Sequence, residues 1–131
     1  MPNYSKEIKQ IKANQLVPEV ESAIIEKVAE QYKLTSEQKD LLYVVRKVEN
    51  GGVGKEFGVL TPQAMRYKDN PYLSYITQAQ WAAGTIKKRY KGDLNEFANR
   101  WAPVGASNDP NNLNSNWIKN ANYYLNLIGG E

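Results

Sequence analysis

Histidine and cysteine are both absent from the 131 residues. The chain therefore offers no imidazole base, no thiolate nucleophile, no disulfide framework and no zinc or iron site of the usual nitrogen or sulfur type. Acid/base chemistry near neutral pH falls most naturally to Asp and Glu. Among the 14 acidic residues, Glu49 is out of place. It follows Val45 by four residues and Leu42 by seven, so at 3.6 residues per turn it shares the apolar stripe that those side chains bury. It also lies in the last turn of its predicted helix, just before Gly51 and Gly52, where the free carbonyls disfavour negative charge. Shielding and the helix end both favour a neutral carboxyl. A glycosidase needs that state in the general acid that protonates the leaving oxygen of a glycosidic bond. The same spacing also fits a plain boundary residue, paired with Arg46 or reaching solvent.

The elements that must position Glu49 are helical. Val20, Ile24, Val28 and Tyr32 recur at i+4 with Ile25 alongside, which predicts a helix from Pro18 to about Lys33. Thr35 and Gln38 have capping-box spacing and open the next helix, through Leu41, Leu42, Val44, Val45 and Val48 to Gly51. Gly54, Gly58, Pro62 and Asn70-Pro71 then break the pattern, leaving a loop and a short helix near 63–68. Thr77 with Gln80 predicts a helix bearing Ala82, Ile86 and Tyr90 that closes at Gly92. Asp93 with Glu96 predicts a short one bearing Leu94, Phe97, Ala98 and Trp101, ended by Pro103. After a loop over 102–114, Ser115 caps a last helix with Ile118, Ala121, Tyr124, Leu125 and Ile128. No segment alternates with period 2, so the expected class is all-α with five to six helices, any β structure being a minor hairpin within 52–61.

The length suits one domain, and 41 % apolar with 24 % charged residues is enough to bury a core. Residues 18–131 are expected to form that domain, with 1–17 an N-terminal arm or short helix carrying only Ile8, Ile11 and Leu16 as apolar marks. The net charge of +3 comes from Lys87-Lys88-Arg89 and Lys91, a run that on a helix usually forms a solvated face. Without a recognised helix-turn-helix sequence, that charge is weak for a nucleic-acid binder, and none is expected. No stretch approaches the ~20 apolar residues of a membrane span, and Met1 to Gln10 has no apolar core of a secretory signal.

The run Val45-Arg46-Lys47-Val48-Glu49-Asn50-Gly51-Gly52, followed by Phe57-Gly58-Val59-Leu60, resembles the opening motif of the lysozyme-like soluble lytic transglycosylases and goose-type lysozymes. Ala83-Gly84, then Tyr90 and Lys91-Gly92-Asp93, then Ala98-Asn99-Arg100-Trp101-Ala102-Pro103-Val104-Gly105, is similar to the later motifs of that family in order and spacing. The resemblance covers about residues 36–105. It implies a lysozyme-like fold in which Glu49 is the single catalytic acid/base, Phe57, Leu60 and Thr61 line the glycan cleft, and Trp101 replaces the cleft tyrosine. Thr61 stands where the family has Gln, and Trp101-Ala102 where it has Tyr-Asn, which alters the usual polar contacts to the N-acetyl sugars. The segment after Trp101, with Asn108-Asp109-Pro110, is similar to tails of phage peptidoglycan hydrolases.

The partner so implied is the peptidoglycan glycan strand, cut at the β-1,4 bond between N-acetylmuramic acid and N-acetylglucosamine, with no cofactor and no metal. Two-carboxylate glycosidases need a second group about 5–9.5 Å from the first, and Glu56 on the following loop is the candidate. Without it the expectation is a lytic transglycosylase, with it a hydrolytic muramidase. A non-catalytic glycan-binding or virion structural module is the competing class. The polar N-terminus and the tail resemblance together predict a phage-encoded protein made in the host cytoplasm, acting at the periplasm or wall, released by a holin or lysis or carried in the virion beside other virion proteins.

Overall fold

The computed structural model describes residues 11–49, 51–58, 66–67, 69–102 and 115–128. They form five α-helices and no strand: α1 (Glu19–Gln31), α2 (Ser36–Glu49), α3 (Pro71–Arg89), α4 (Leu94–Trp101) and α5 (Ser115–Leu127). A 3₁₀ turn, Ala13–Leu16, precedes them. The all-α expectation is met.

The centre of the molecule is α2. Leu41, Leu42, Tyr43, Val44 and Val45 are all fully buried, so this helix is enclosed on every side over its middle turns. It packs against α1, α3, α5 and the 3₁₀ turn. Its start is fixed by the predicted box: Gln38 N–H donates to Thr35 Oγ1 at 3.1 Å, and Thr35 N–H donates to Gln38 Oε1 at 2.9 Å. A rigid helix that begins at a defined cap and runs through the core delivers its last residue, Glu49, to a fixed point.

The start of α3 differs from the sequence expectation. Asn70-Pro71 opens the helix, with Asn70 Oδ1 accepting from Leu73 N–H at 3.1 Å and Pro71 at its first position. Thr77 lies inside the helix, its hydroxyl donating to the Leu73 carbonyl at 2.8 Å. An Asn-Pro pair serves equally as a break and as a cap followed by a proline whose missing N–H costs nothing. Here the apolar face of Tyr75, Ala79, Ala82, Ala83 and Ile86 draws the two extra turns onto the core. Asp93 caps α4 as expected, accepting from Glu96 N–H at 3.1 Å.

No hairpin forms in the described part of 52–61, the one segment where the sequence left room for β structure. Residues 51–58 make successive turns, with Lys55 N–H donating to the Gly52 carbonyl and Gly58 N–H to the Lys55 carbonyl, each at 2.9 Å. The short helix near 63–68 falls largely outside the described residues. Of the N-terminal segment, residues 11–17 pack on the domain: Leu16 is buried, and Ile11 N–H donates to the Leu127 carbonyl at 3.0 Å.

Candidate active site

Glu49, the last residue of α2, is half-buried at the floor of a cleft of about 640 Å³. Its Oε2 accepts two indole N–H groups, from Trp101 at 2.7 Å and Trp117 at 2.8 Å. An indole nitrogen can only donate, so two such bonds occupy Oε2 and leave Oε1 as the oxygen able to carry and deliver a proton. Arg46, the neighbour that the sequence offered as a partner for Glu49, is committed elsewhere: its Nε donates to Glu21 Oε1 at 2.7 Å.

Oε1 points at Gly58. That residue has φ +73°, in the left-handed region, and a Cβ built on it would collide with Oε1 and Cδ of Glu49. Both the backbone conformation and the space therefore require glycine here. The loop that brings Gly58 to this spot is held by a buried polar chain. Phe57 N–H donates to Gln78 Oε1 at 3.1 Å, and Gln78 Nε2 donates to Glu56 Oε1 at 2.8 Å and to Ser74 Oγ at 3.2 Å. Glu56 Oε1 also accepts from Gly54 N–H at 3.1 Å. Gln78 is fully buried in α3, so the loop is tied to that helix rather than to a strand partner.

The cleft walls are aromatic. Trp101 stacks on Phe97, with ring centroids 5.6 Å apart and planes at 23°, and the Trp81 ring of α3 lies 5.4 Å from that of Trp101. Trp117 closes the group 6.4 Å from Trp101. All three tryptophans of the chain thus line one cleft, from α3, α4 and α5, and two of them bond to Glu49. Trp81 remains 42 % exposed, which leaves part of its side chain open to a ligand. Between these walls Gly84 presents no side chain, and a Cβ there would make only an ordinary contact, 3.5 Å from the Tyr32 ring. A mid-helix glycine costs ~1 kcal/mol against alanine, and the space it leaves belongs to the cleft.

Of the residues expected from the sequence, Glu49 and Trp101 come together, and Trp101 takes a role beyond that of a wall by donating to the carboxylate. Phe57 does not reach the cleft. It is fully buried with its ring edge on Tyr75, centroids 5.2 Å apart, because the Gln78 bond draws its backbone inward. Glu56 is 7 % exposed and does not line the cleft, since its carboxylate anchors the loop and Gln78. Leu60 and Thr61 lie outside the described residues. Trp81 and Trp117 were not expected. The signal for Trp117 is its i+4 spacing to Ala121 and Leu125, which continues the buried stripe of α5 by one turn towards α2.

Among the described residues no three acidic side chains gather into a metal site, and no helix is long and apolar enough to cross a membrane. Comparison with known proteins gives no matching family model, no matching curated protein and no matching solved structure.

Proposed function

We propose that the protein is a lytic transglycosylase that cleaves the β-1,4 bond between N-acetylmuramic acid and N-acetylglucosamine, with Glu49 as the single acid/base. The observation that carries this reading is the Glu49 carboxyl itself. One oxygen is clamped by two indole N–H groups, and the other lies against Gly58, which lines the same aromatic-walled cleft. Such a clamp fixes both which oxygen reacts and where it sits, which is the positioning that acid/base catalysis requires. The substrate class rests on the motif resemblance over residues 36–105, and the partly exposed Trp81 in the cleft wall supports it because sugar rings stack on indoles.

In the proposed reaction Glu49 Oε1–H protonates the glycosidic oxygen as the bond from that oxygen to C1 of the muramyl sugar breaks. The N-acetylglucosamine side leaves with its new hydroxyl. The Glu49 carboxylate then takes the proton of the muramyl 6-hydroxyl, whose oxygen bonds to C1 and closes a 1,6-anhydro ring. The proton is back on Oε1, and no water is consumed. The inward anchoring of Glu56 supports this route over a two-carboxylate hydrolysis, because freeing that carboxylate would strip the loop of its bonds to Gly54 and Gln78.

The test separates catalysis from binding. Since all three tryptophans line the cleft, their fluorescence reports occupancy directly. Glu49→Gln is expected to keep the fluorescence change on adding glycan strands and to lose turnover by about 10²–10⁴-fold. Binding with no turnover in the wild type would instead make the protein a glycan-binding module.

A further inference from the structure

The basic run at the end of α3 is divided by the helix. Lys87 and Lys91 bond to nearby carbonyls, Lys87 Nζ to that of Tyr32 at 2.6 Å and Lys91 Nζ to that of Lys87 at 3.3 Å. Lys88 and Arg89 turn instead to the same cleft as Glu49, where Arg100 of α4 joins them. Among the described residues none of these three has an ion-pair partner, the ion pairs being Lys39 with Glu26 and Arg46 with Glu21. Among the described residues Glu49 is the one acidic residue lining the cleft, against the three cations Lys88, Arg89 and Arg100. Lys88 and Arg89 stand seven and eight residues beyond Trp81 on α3, which places their backbone about 11 Å further along the helix axis. Lys88 and Arg89 are therefore set off along α3 from Trp81, while Arg100 directly precedes Trp101 on α4.

Neutral N-acetyl sugars give three exposed cations nothing to pair with. We propose that Lys88, Arg89 and Arg100 form a recognition rim for an anionic substituent of the glycan strand, namely the free carboxylates of its peptide stems. This rests on the peptidoglycan reading above and adds to it that the enzyme selects strands by the charge they carry beside the bond cut. Arg100 can grip a carboxylate through two N–H groups in parallel, while Lys88 and Arg89 add charge from the opposite wall. Each contact is solvent-exposed, so the selection is modest and sensitive to salt.

The test uses purified peptidoglycan in two forms, one untreated and one with its stem carboxylates converted to amides. Both are given to the wild type and to the triple variant Lys88→Gln, Arg89→Gln, Arg100→Gln, with co-sedimentation and product release measured separately. The wild type is expected to bind untreated strands roughly tenfold more tightly at low ionic strength. That preference should collapse at high salt and be lost in the triple variant. Equal binding of the two forms by the wild type, or a triple variant that keeps the preference, overturns the rim. Charge-dependent binding with no product release leaves the rim standing and overturns the catalytic reading. Removing the stems by amide hydrolysis frees the lactyl carboxylate that the stem had masked, so the stripped strands are amidated at that position as well; binding of these as tight as that of untreated strands overturns the assignment to the stems.

Discussion

At Glu49 the decisive feature is the inequality of its two oxygens. Two donors on Oε2 and a glycine beneath Oε1 turn a symmetric group into a directed one. Trp117→Phe keeps a ring in the wall and removes one donor. We expect kcat to fall about tenfold with KM little changed, the signature of a positioning residue, and a KM rise alone would show Trp117 to be only a wall. Gly58→Ala is the harsher change, because it forces a side chain into φ +73° and against the carboxyl. It should cost about 1 kcal/mol or more in denaturant unfolding and, by displacing Oε1, about 10²-fold in turnover. A fully active Gly58→Ala would contradict the placement of Oε1.

At the scale of elements, the site is held by where α2 ends and by how the following loop is pinned. Gln78 does the pinning, through Phe57 N–H and Glu56 Oε1. Gln78→Leu fits the volume but leaves the buried Phe57 N–H unpaired and Glu56 Oε1 with only Gly54 N–H, which should cost about 1–3 kcal/mol in thermal or denaturant unfolding. It should also lower turnover by loosening the loop that bears Gly58. What was legible in the sequence belongs to this scale where the signal is local. Thr35 and Asp93 announce their helices because cap and partner lie three residues apart, and Glu49 announces itself because its stripe is local too. Asn70-Pro71 was ambiguous because a cap and a break use the same residues, and only burial of the Tyr75 face decides between them. The roles of Gln78, Trp81 and Trp117 were not legible, since each depends on a partner 20 or more residues away whose place is set by packing.

Across the whole molecule, a second polar cluster ties three helices together away from the cleft. Arg46 of α2 and the Tyr75 hydroxyl of α3 both donate to Glu21 Oε1 of α1, each at 2.7 Å, and Arg46 Nη1 reaches the Glu56 carbonyl at 3.3 Å. Burial pushes the Glu21 carboxyl up, but the bonds from Arg46 and Tyr75 and the Arg46 charge outweigh it and hold its pKa below the usual 4.5. A carboxylate depressed in the folded state contributes stability above its unfolded value and loses it as pH falls through the folded one. Glu21→Gln should therefore cost about 1–2 kcal/mol at pH 7, with the gap to wild type closing as pH falls below the ordinary carboxylate range in denaturant titrations at each pH. A gap that persists unchanged into acid would show that Glu21 acts by shape and not by charge.

The central claim is that one clamped carboxyl closes an anhydro ring without water. Mass spectrometry of the muropeptides released from purified peptidoglycan by the wild type and by Glu49→Gln tests it most directly. We predict 1,6-anhydromuramyl ends from the wild type and none from the variant, whereas reducing muramic ends, or anhydro ends that survive the substitution, would contradict it.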